Sequence, residues 1–437
     1  MVGKPFRPYD PDADLLLPPS LRDWLPENHL AYFVGDVVDN LDLSAMDAVY
    51  GTEKRGQPPY NPRMMTKVLV YAYCVGVFSS RRITRRLVED IPFRVLAADN
   101  QPDFRTISDL RKIHLATLEG LFEQVLQIAL EAGAIKLGRV ALDGTKVKAN
   151  ASKHKAMSYD RMVEKQKTLK AEVKQLLLEA EAADAEEDAR HGKNQSGDEW
   201  PEELKRREDR LRKIREAKRV VEQRARAKAE AAGQDPETAK PQPKDQYNFT
   251  DPESRIMRGA DGFVQGYNAQ AAVESELQLI VGQTVTQAPN DKEQLLPMVA
   301  VIQEQSGQRP EQVLGDSGYC SEKNLEALES EKSPECRIEG FIATERQQHD
   351  EYKQPCPKGP IPKNATRADR MRRKLKTKAG KAVYAARKAI VEPVFGQIKQ
   401  ARGFRQFLLR GIAKVRGEWA LVCLTHNILK LYRLCCD

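Results

Sequence analysis

RVALDGTKVKAN, residues 139–150, is the stretch from which the rest of the chain is read. Val140 and Leu142 alternate with Arg139 and Ala141. After Asp143-Gly144 the alternation resumes, with Thr145, Val147 and Ala149 on one side and Lys146, Lys148 and Asn150 on the other. A period of two over this length predicts a β-strand. A carboxylate on such a strand carries a high desolvation cost unless it is paired or holds a cation. Taken alone, the segment fits a turn aspartate at a strand bend as well as an acid of a site.

Two later segments bear on that choice. In QVLGDSGYC, Val313 and Leu314 run into Gly315-Asp316-Ser317-Gly318, again an acid at a strand end with glycine beside it. In YAARKAIVEPVFGQIKQARGF, Lys388, Glu392 and Lys399 share one helical face, with Val391, Val394, Phe395 and Ile398 as the buried side. Pro393 lacks the N–H an inner helical turn needs, so a kink or helix restart is expected beside Glu392. A glutamate flanked by lysines is by itself an ordinary surface ion-pair residue. With two strand-end aspartates it forms a set able to hold two Mg²⁺ ions for in-line attack on a phosphodiester, with Mn²⁺ as a substitute. Asp251, Asp261 and Asp291 are further acids, explained by a D-P turn, a D-G turn and a helix start. The six histidines include no H-x-H or H-E-x-x-H pattern, which disfavours a zinc hydrolase.

At 437 residues the chain is long enough for two or three domains. Residues 1–135 read as a helical domain. Asn61-Pro62 opens an apolar helix, Ser79-Ser80 a short basic one that Ile91-Pro92 ends, and Asp103 or Thr106 a third. That succession suits helix-turn-helix-like DNA binding through Arg85 and Arg86, and equally a plain bundle with exposed arginines. Residues 153–245 shift to Ala, Glu, Lys and Arg. Their apolar positions (Met162, Leu169, Val173, then Leu211, Ile214, Val221) predict an antiparallel helical hairpin. The remainder, 136–152 and 246–437, reads as three strands, helix, strand, helix, strand and helix, the order of an RNase H-like core with the hairpin inserted after its first strand.

The net charge of +8 is unevenly placed, because Lys358 to Lys388 holds twelve Lys/Arg and one acid, Asp369. A concentrated basic run beside a candidate cation site points to a polyanion, and a solvated loop is the competing reading. Seven cysteines without a C-x-x-C pair exclude a zinc ribbon and a secreted disulfide framework. With no signal-like N-terminus and no long apolar run, a reduced, cytoplasmic protein off the membrane is expected.

These residues carry a resemblance. LDGTKVKANAS around Asp143, NFTDPESRIM and GFVQGYNAQ at 248–270, VLGDSGY around Asp316 and the long segment around Glu392 resemble bacterial insertion-sequence transposases of the DDE type. The resemblance implies an α/β, RNase H-like or retroviral-integrase-like catalytic core and an end-binding N-terminal domain. It implies Asp143, Asp316 and Glu392 as the metal-binding catalytic triad. The partners implied are double-stranded DNA, as terminal inverted repeats and target, and a second copy of the chain in a nucleoid-associated dimer. Lys146, Lys148, Lys399, Arg402 and Arg405 are candidate phosphate contacts. Some related transposases show Tyr-x2-Arg-x3-Glu-x6-Lys. Here Tyr384-x2-Arg387 and Glu392-x6-Lys399 match, but four residues separate Arg387 from Glu392, which sets Tyr384 and Arg387 aside as phosphate contacts and leaves Lys399. The alternatives are an RNase H-like nuclease that cuts without joining, and an inactive DNA-binding relic.

Overall fold

The computed structural model describes residues 20–50, 58–191, 202–259, 262–329, 338–345, 356–362 and 364–436. After a 3-10 turn at Leu21–Trp24, seven α-helices lead among the described residues: α1 (Leu30–Asp39), α2 (Ser44–Tyr50), α3 (Pro62–Cys74), α4 (Ser80–Glu89), α5 (Ile91–Ala97), α6 (Phe104–Ile113) and α7 (Leu115–Glu131). Their starts follow local chemistry. The Asn61 side chain accepts from the N–H groups of Arg63 and Met64, and Asp103 accepts from those of Arg105 and Thr106. Pro92 does not simply stop the basic helix; it stands in the first turn of α5, where its missing N–H costs nothing.

The central sheet is built from β1 (Arg139–Lys148) and, after two short strands β2 (Ala156–Ser158) and β3 (Gln246–Asn248) that pair with each other, from β4 (Arg255–Gly259), β5 (Gly262–Glu274), β6 (Ile280–Thr286), β7 (Gln312–Gly315) and β8 (Glu339–Ile342). The order is β4-β5-β1-β7-β8, with β6 also paired to β5. β1 runs antiparallel to β5 from Val140↔Glu274 to Lys148↔Gly266, whereas β7 joins β1 in parallel over Arg139–Ala141 only. The β5–β6 turn is held by buried Glu274, whose carboxylate accepts from the N–H groups of Glu276, Leu277 and Leu279.

Between β2 and β3 stand α8 (Tyr159–His191) and α9 (Glu202–Ala231). Met162, Leu169, Leu211, Ile214, Ala217 and Val221 form their own apolar seam, so the spacing read from the sequence does zip the two helices together. α10 (Leu295–Ser306) and α11 (Glu322–Glu329) flank β7. Then come α12 (Arg367–Lys376), α13 (Lys378–Gly396) with a π-helical turn at Gln397–Ala401, and α14 (Ile412–Cys436). Of the kink or restart expected beside Glu392, the restart does not occur: α13 continues through Pro393. Proline strands the carbonyl four residues back, on Ala389, and the Gln278 side chain donates to it at 2.9 Å.

One apolar cluster runs from Val34 and Phe122 through Leu142 and Tyr267 to Trp419, so the N-terminal helices and the sheet share a core. α14 is the shared wall, packed on α3, α7 and β6. A buried polar chain crosses it: Arg111 Nη1 donates to the Tyr73 hydroxyl at 3.1 Å, and that hydroxyl donates to Glu418 at 3.2 Å. Glu418 also accepts from the N–H groups of Leu408 and Leu409 at 2.9 and 3.0 Å. No helix among the described residues is long and apolar enough to cross a membrane.

Removing one partner of a buried, hydrogen-bonded charge leaves the others unpaired in low dielectric. Glu418→Ala is expected to lower unfolding stability by about 3–5 kcal/mol in urea titrations. A loss below about 1 kcal/mol would show that this chain does not brace the 408–409 segment.

Candidate active site

β1 changes partner along one edge, and the candidate site lies at the fork. β7 leaves that edge after Ala141. Farther along, residues 405–407 take it up, with the Lys148 N–H donating to the Arg405 carbonyl and the Phe407 N–H to the Lys148 carbonyl. Asp143 sits where β7 departs, its side chain 22% exposed. One oxygen accepts from the Gly144 N–H at 2.8 Å, and the other faces Arg387 Nη1 at 3.7 Å.

Asp316 follows β7 directly and accepts from the Gly318 N–H at 2.8 Å, capping the turn Ser317–Tyr319. Because β7 is the parallel neighbour of β1, the acid just past β7 arrives beside Asp143. Their proximity registers electrostatically. Burial, reinforced by the charges of Asp316 and Asp291 and opposed by Arg387, pushes the Asp143 carboxyl up to about 6.

Glu392 projects from α13 and is 57% exposed, with its Oε1 3.9 Å from Arg387 Nη2. Arg387 thus stands between Asp143 and Glu392, more than nine-tenths buried, and its Nη1 makes no hydrogen bond. The irregular spacing that set Arg387 aside in the sequence does not keep it from the site. Tyr384 lies beside it.

The fit of this cleft to divalent cations can be judged from its donors. Asp143 and Asp316 supply hard oxygens, which suit Mg²⁺ or Mn²⁺. Arg387 supplies the positive charge here. Among the described residues no three Asp, Glu, His or Cys side chains stand close enough to grip one ion as placed. Ion binding between Asp143 and Glu392 therefore requires Arg387 to turn away.

The basic candidates divide. Lys399 Nζ donates to Thr145 Oγ1 and to the Lys146 carbonyl, fastening α13 to β1 two residues past Asp143. Lys146 is half-buried, 3.5 Å from Asp291, while Lys148 and Arg405 are exposed along the edge. Arg402 is a correction. It is buried, donates to Thr425 Oγ1 and the Val422 carbonyl, and is lowered to about 10 by burial, so it knits α14 to the turn after α13 and offers nothing to DNA as placed. Arg85 and Arg86 lie on the outer face of α4, ion-paired to Glu89 and Asp90. The basic run is also less bare than its sequence. Arg367 meets Glu326 and Glu329, Arg372 meets Glu345 and Asp369, and Lys374 meets Glu339.

Asp251 is structural, as its turn implied, and accepts from the Tyr267 hydroxyl in the interior. Asp261 lies outside the described residues. Asp291, expected to serve the start of a helix, caps none: its carboxylate accepts from Asn268 and Gln270 of β5. Its contacts come from strands distant in sequence, so no local signal marks it.

The raised Asp143 carboxyl has a stability consequence. A folded-state pKa of about 6 against an ordinary 3.8 means that the folded chain binds this proton more tightly. Stability is therefore lost as pH rises through that window. Without added metal, Asp143→Asn is expected to stabilise the protein at pH 7 by on the order of 1–3 kcal/mol, the gain vanishing near pH 4. Thermal melts at the two pH values check this, and identical melting at pH 7 contradicts it.

Two family profiles match the chain: the transposase domain DUF772 over residues 19–113 and a transposase DDE domain over residues 360–432. The second spans Tyr384, Arg387, Glu392 and Lys399, whereas Asp143, Asp291 and Asp316 fall outside both. No curated protein matches, and no solved structure does. With a transposase domain matched at its helical N-terminal end and a DDE domain matched over the helix that carries Glu392, the two matches together support an insertion-sequence transposase of the DDE type.

Proposed function

We propose that this DNA transposase cuts the strand at the ends of its element and joins the freed 3′-hydroxyl to target DNA, with Asp143, Asp316 and Glu392 as its acid set. The observation that carries the reading is the convergence at the β1 fork of Asp143, the acid after its parallel neighbour β7, and the helix spanned by the DDE match. Within the six-stranded sheet, β6, β5 and β1 are antiparallel and are continued by parallel β7 and β8, an order that supports an RNase H-like core.

DDE transposases use divalent metal ions, and bound here by Asp143, Asp316 and Glu392 these would supply Lewis-acid stabilisation of the attacking and departing oxygens. The chain's own residues do the remaining work. Asp143 stands within β1 and Asp316 directly after β7, on backbone held by strand pairing, so their positions are set before DNA arrives. Glu392, on an exposed helical face, is the acid most open to the substrate. Arg387 neutralises Asp143 and Glu392 until a stronger cation replaces it. Lys148 and Arg405 line the edge along which a phosphate backbone could run, giving salt-dependent affinity without sequence reading. Cutting two ends of one element calls for two copies of the chain.

The test uses a labelled duplex carrying the DNA that flanks the coding region, with Mg²⁺ or Mn²⁺ titrated. Wild type is expected to yield nicked and then joined products. Asp143→Ala, Asp316→Ala and Glu392→Ala should each cut at least about a hundredfold more slowly, the loss of roughly 3 kcal/mol of transition-state stabilisation, while binding the duplex as well as wild type. Undiminished cutting in any of the three removes that acid from the set. Cutting without joined products would point to a nuclease, and binding without cutting at any metal concentration to a regulator.

A further inference from the structure

Asp291 precedes a helix, and the simplest role for it is to favour that helix's start. Its placement does not support that role. α10 begins at Leu295 without a side-chain cap, and Asp291 contributes only its main-chain carbonyl, to the Gln294 N–H at 2.9 Å. The carboxylate points the other way, into the sheet. Its Oδ1 accepts from Asn268 Nδ2 and Gln270 Nε2, both at 2.6 Å, and lies 3.5 Å from Lys146 Nζ. Asn268 and Gln270 are fully buried on β5, so two interior amides are committed to one oxygen of one acid.

The glycines beside the other two aspartates make room for it. A Cβ on Gly144, next to Asp143, would stand 2.5 Å from Asp291 Oδ1, far inside contact distance. A Cβ on Gly318 would stand 2.9 Å from Asp316 Oδ1 and 3.6 Å from Asp291 Oδ2, so these two carboxylates face the same glycine. With Oδ1 taken by three donors, no hydrogen bond among the described residues engages Oδ2.

Two buried polar atoms in this cleft, Asn268 Oδ1 and Arg387 Nη1, have no hydrogen-bond partner. Asn268 is fully buried, and because its Nδ2 must face the acceptor-only carboxylate, its Oδ1 is left with no donor, 3.0 Å from the Cβ position of Gly144. A carbonyl oxygen shut away beside a carboxylate is a group that a hard cation, or water held by one, would satisfy. Arg387, more than nine-tenths buried, reaches in from the other side with Nη1 unbonded.

We propose that Asp291 is a fourth carboxylate of the site, contacting through Oδ2 a divalent cation that it shares with Asp316. This rests on the triad reading given under Proposed function. Lys146 is its counter-ion in the absence of that cation, at a distance too long for a strong hydrogen bond.

The experiment titrates Mn²⁺ alone into the full DNA-free chain by calorimetry, comparing wild type with D291N, K146M, D143N and D316N, each checked by thermal melting. D291N keeps the shape of the side chain and one acceptor for the amides, and is expected to weaken Mn²⁺ binding tenfold or more. K146M keeps the acid and removes its competing charge, and is expected to tighten binding severalfold. If D143N and D316N weaken binding while D291N binds as wild type does, the triad stands and Asp291 is no part of it. If D143N and D316N also bind as wild type does, the triad reading fails and takes Asp291 with it. Should D291N not fold, K146M decides, and unchanged affinity there overturns the proposal.

Discussion

A carboxylate taken out of water needs a compensating charge, and the cleft on β1 gathers Asp143, Asp316 and Asp291 beside the cations of Arg387 and Lys146. The cost is visible in Asp143, whose proton is held up to about 6 despite the arginine beside it. Much of the surrounding structure can be understood as enforcing that arrangement. β5 fixes one edge of β1 and contributes amides to Asp291; β7 delivers Asp316; α13 carries both Arg387 and Glu392 and is tied down by Lys399. A fold built only for stability would have little use for such a cluster, because apolar side chains of similar volume would cost nothing to bury.

The edge of β1 supplies the geometric counterpart. An open strand edge between β7 and residues 405–407 leaves main-chain groups that need partners, and the Lys399 side chain meets one of them at the Lys146 carbonyl. Glu418 holds the neighbouring segment by the N–H groups of Leu408 and Leu409, and through Tyr73 and Arg111 the N-terminal helices reach the same place. The helical region matched to a transposase domain is therefore packed against the structure that frames the cleft, not strung from it on a linker.

Much of this was legible in the sequence where local chemistry decides. Period two gave β1, the Asn61-Pro62 pair gave the start of α3, and the 3-and-4 spacing gave the hairpin seam around Met162 and Ile214. What could not be read depended on partners far away in the chain. Pro393 fails to break its helix because Gln278 takes up the stranded Ala389 carbonyl. Arg402 looks like one more surface arginine until Thr425 and Val422 draw it inside. Arg387 was discounted as a phosphate contact on its spacing to Glu392, yet its guanidinium stands within 4 Å of both Asp143 and Glu392. Asp291 was explained by a neighbouring helix, although its donors sit on β1 and β5. The basic run from 358 to 388 drew attention by its own charge, while acids on α11, β8 and at Glu345 pair with several of its cations.

The central claim is that acids distant in sequence share divalent cations at the β1 fork once Arg387 gives way. A structure solved with Mn²⁺ and a DNA end, with the ions located by their anomalous scattering, addresses it most directly. Manganese bound by Asp143, Asp316 and Glu392, with the Arg387 guanidinium turned out of the gap between Asp143 and Glu392, is the predicted result. Manganese bound elsewhere, with Arg387 still lodged between those two acids in the DNA complex, would contradict it.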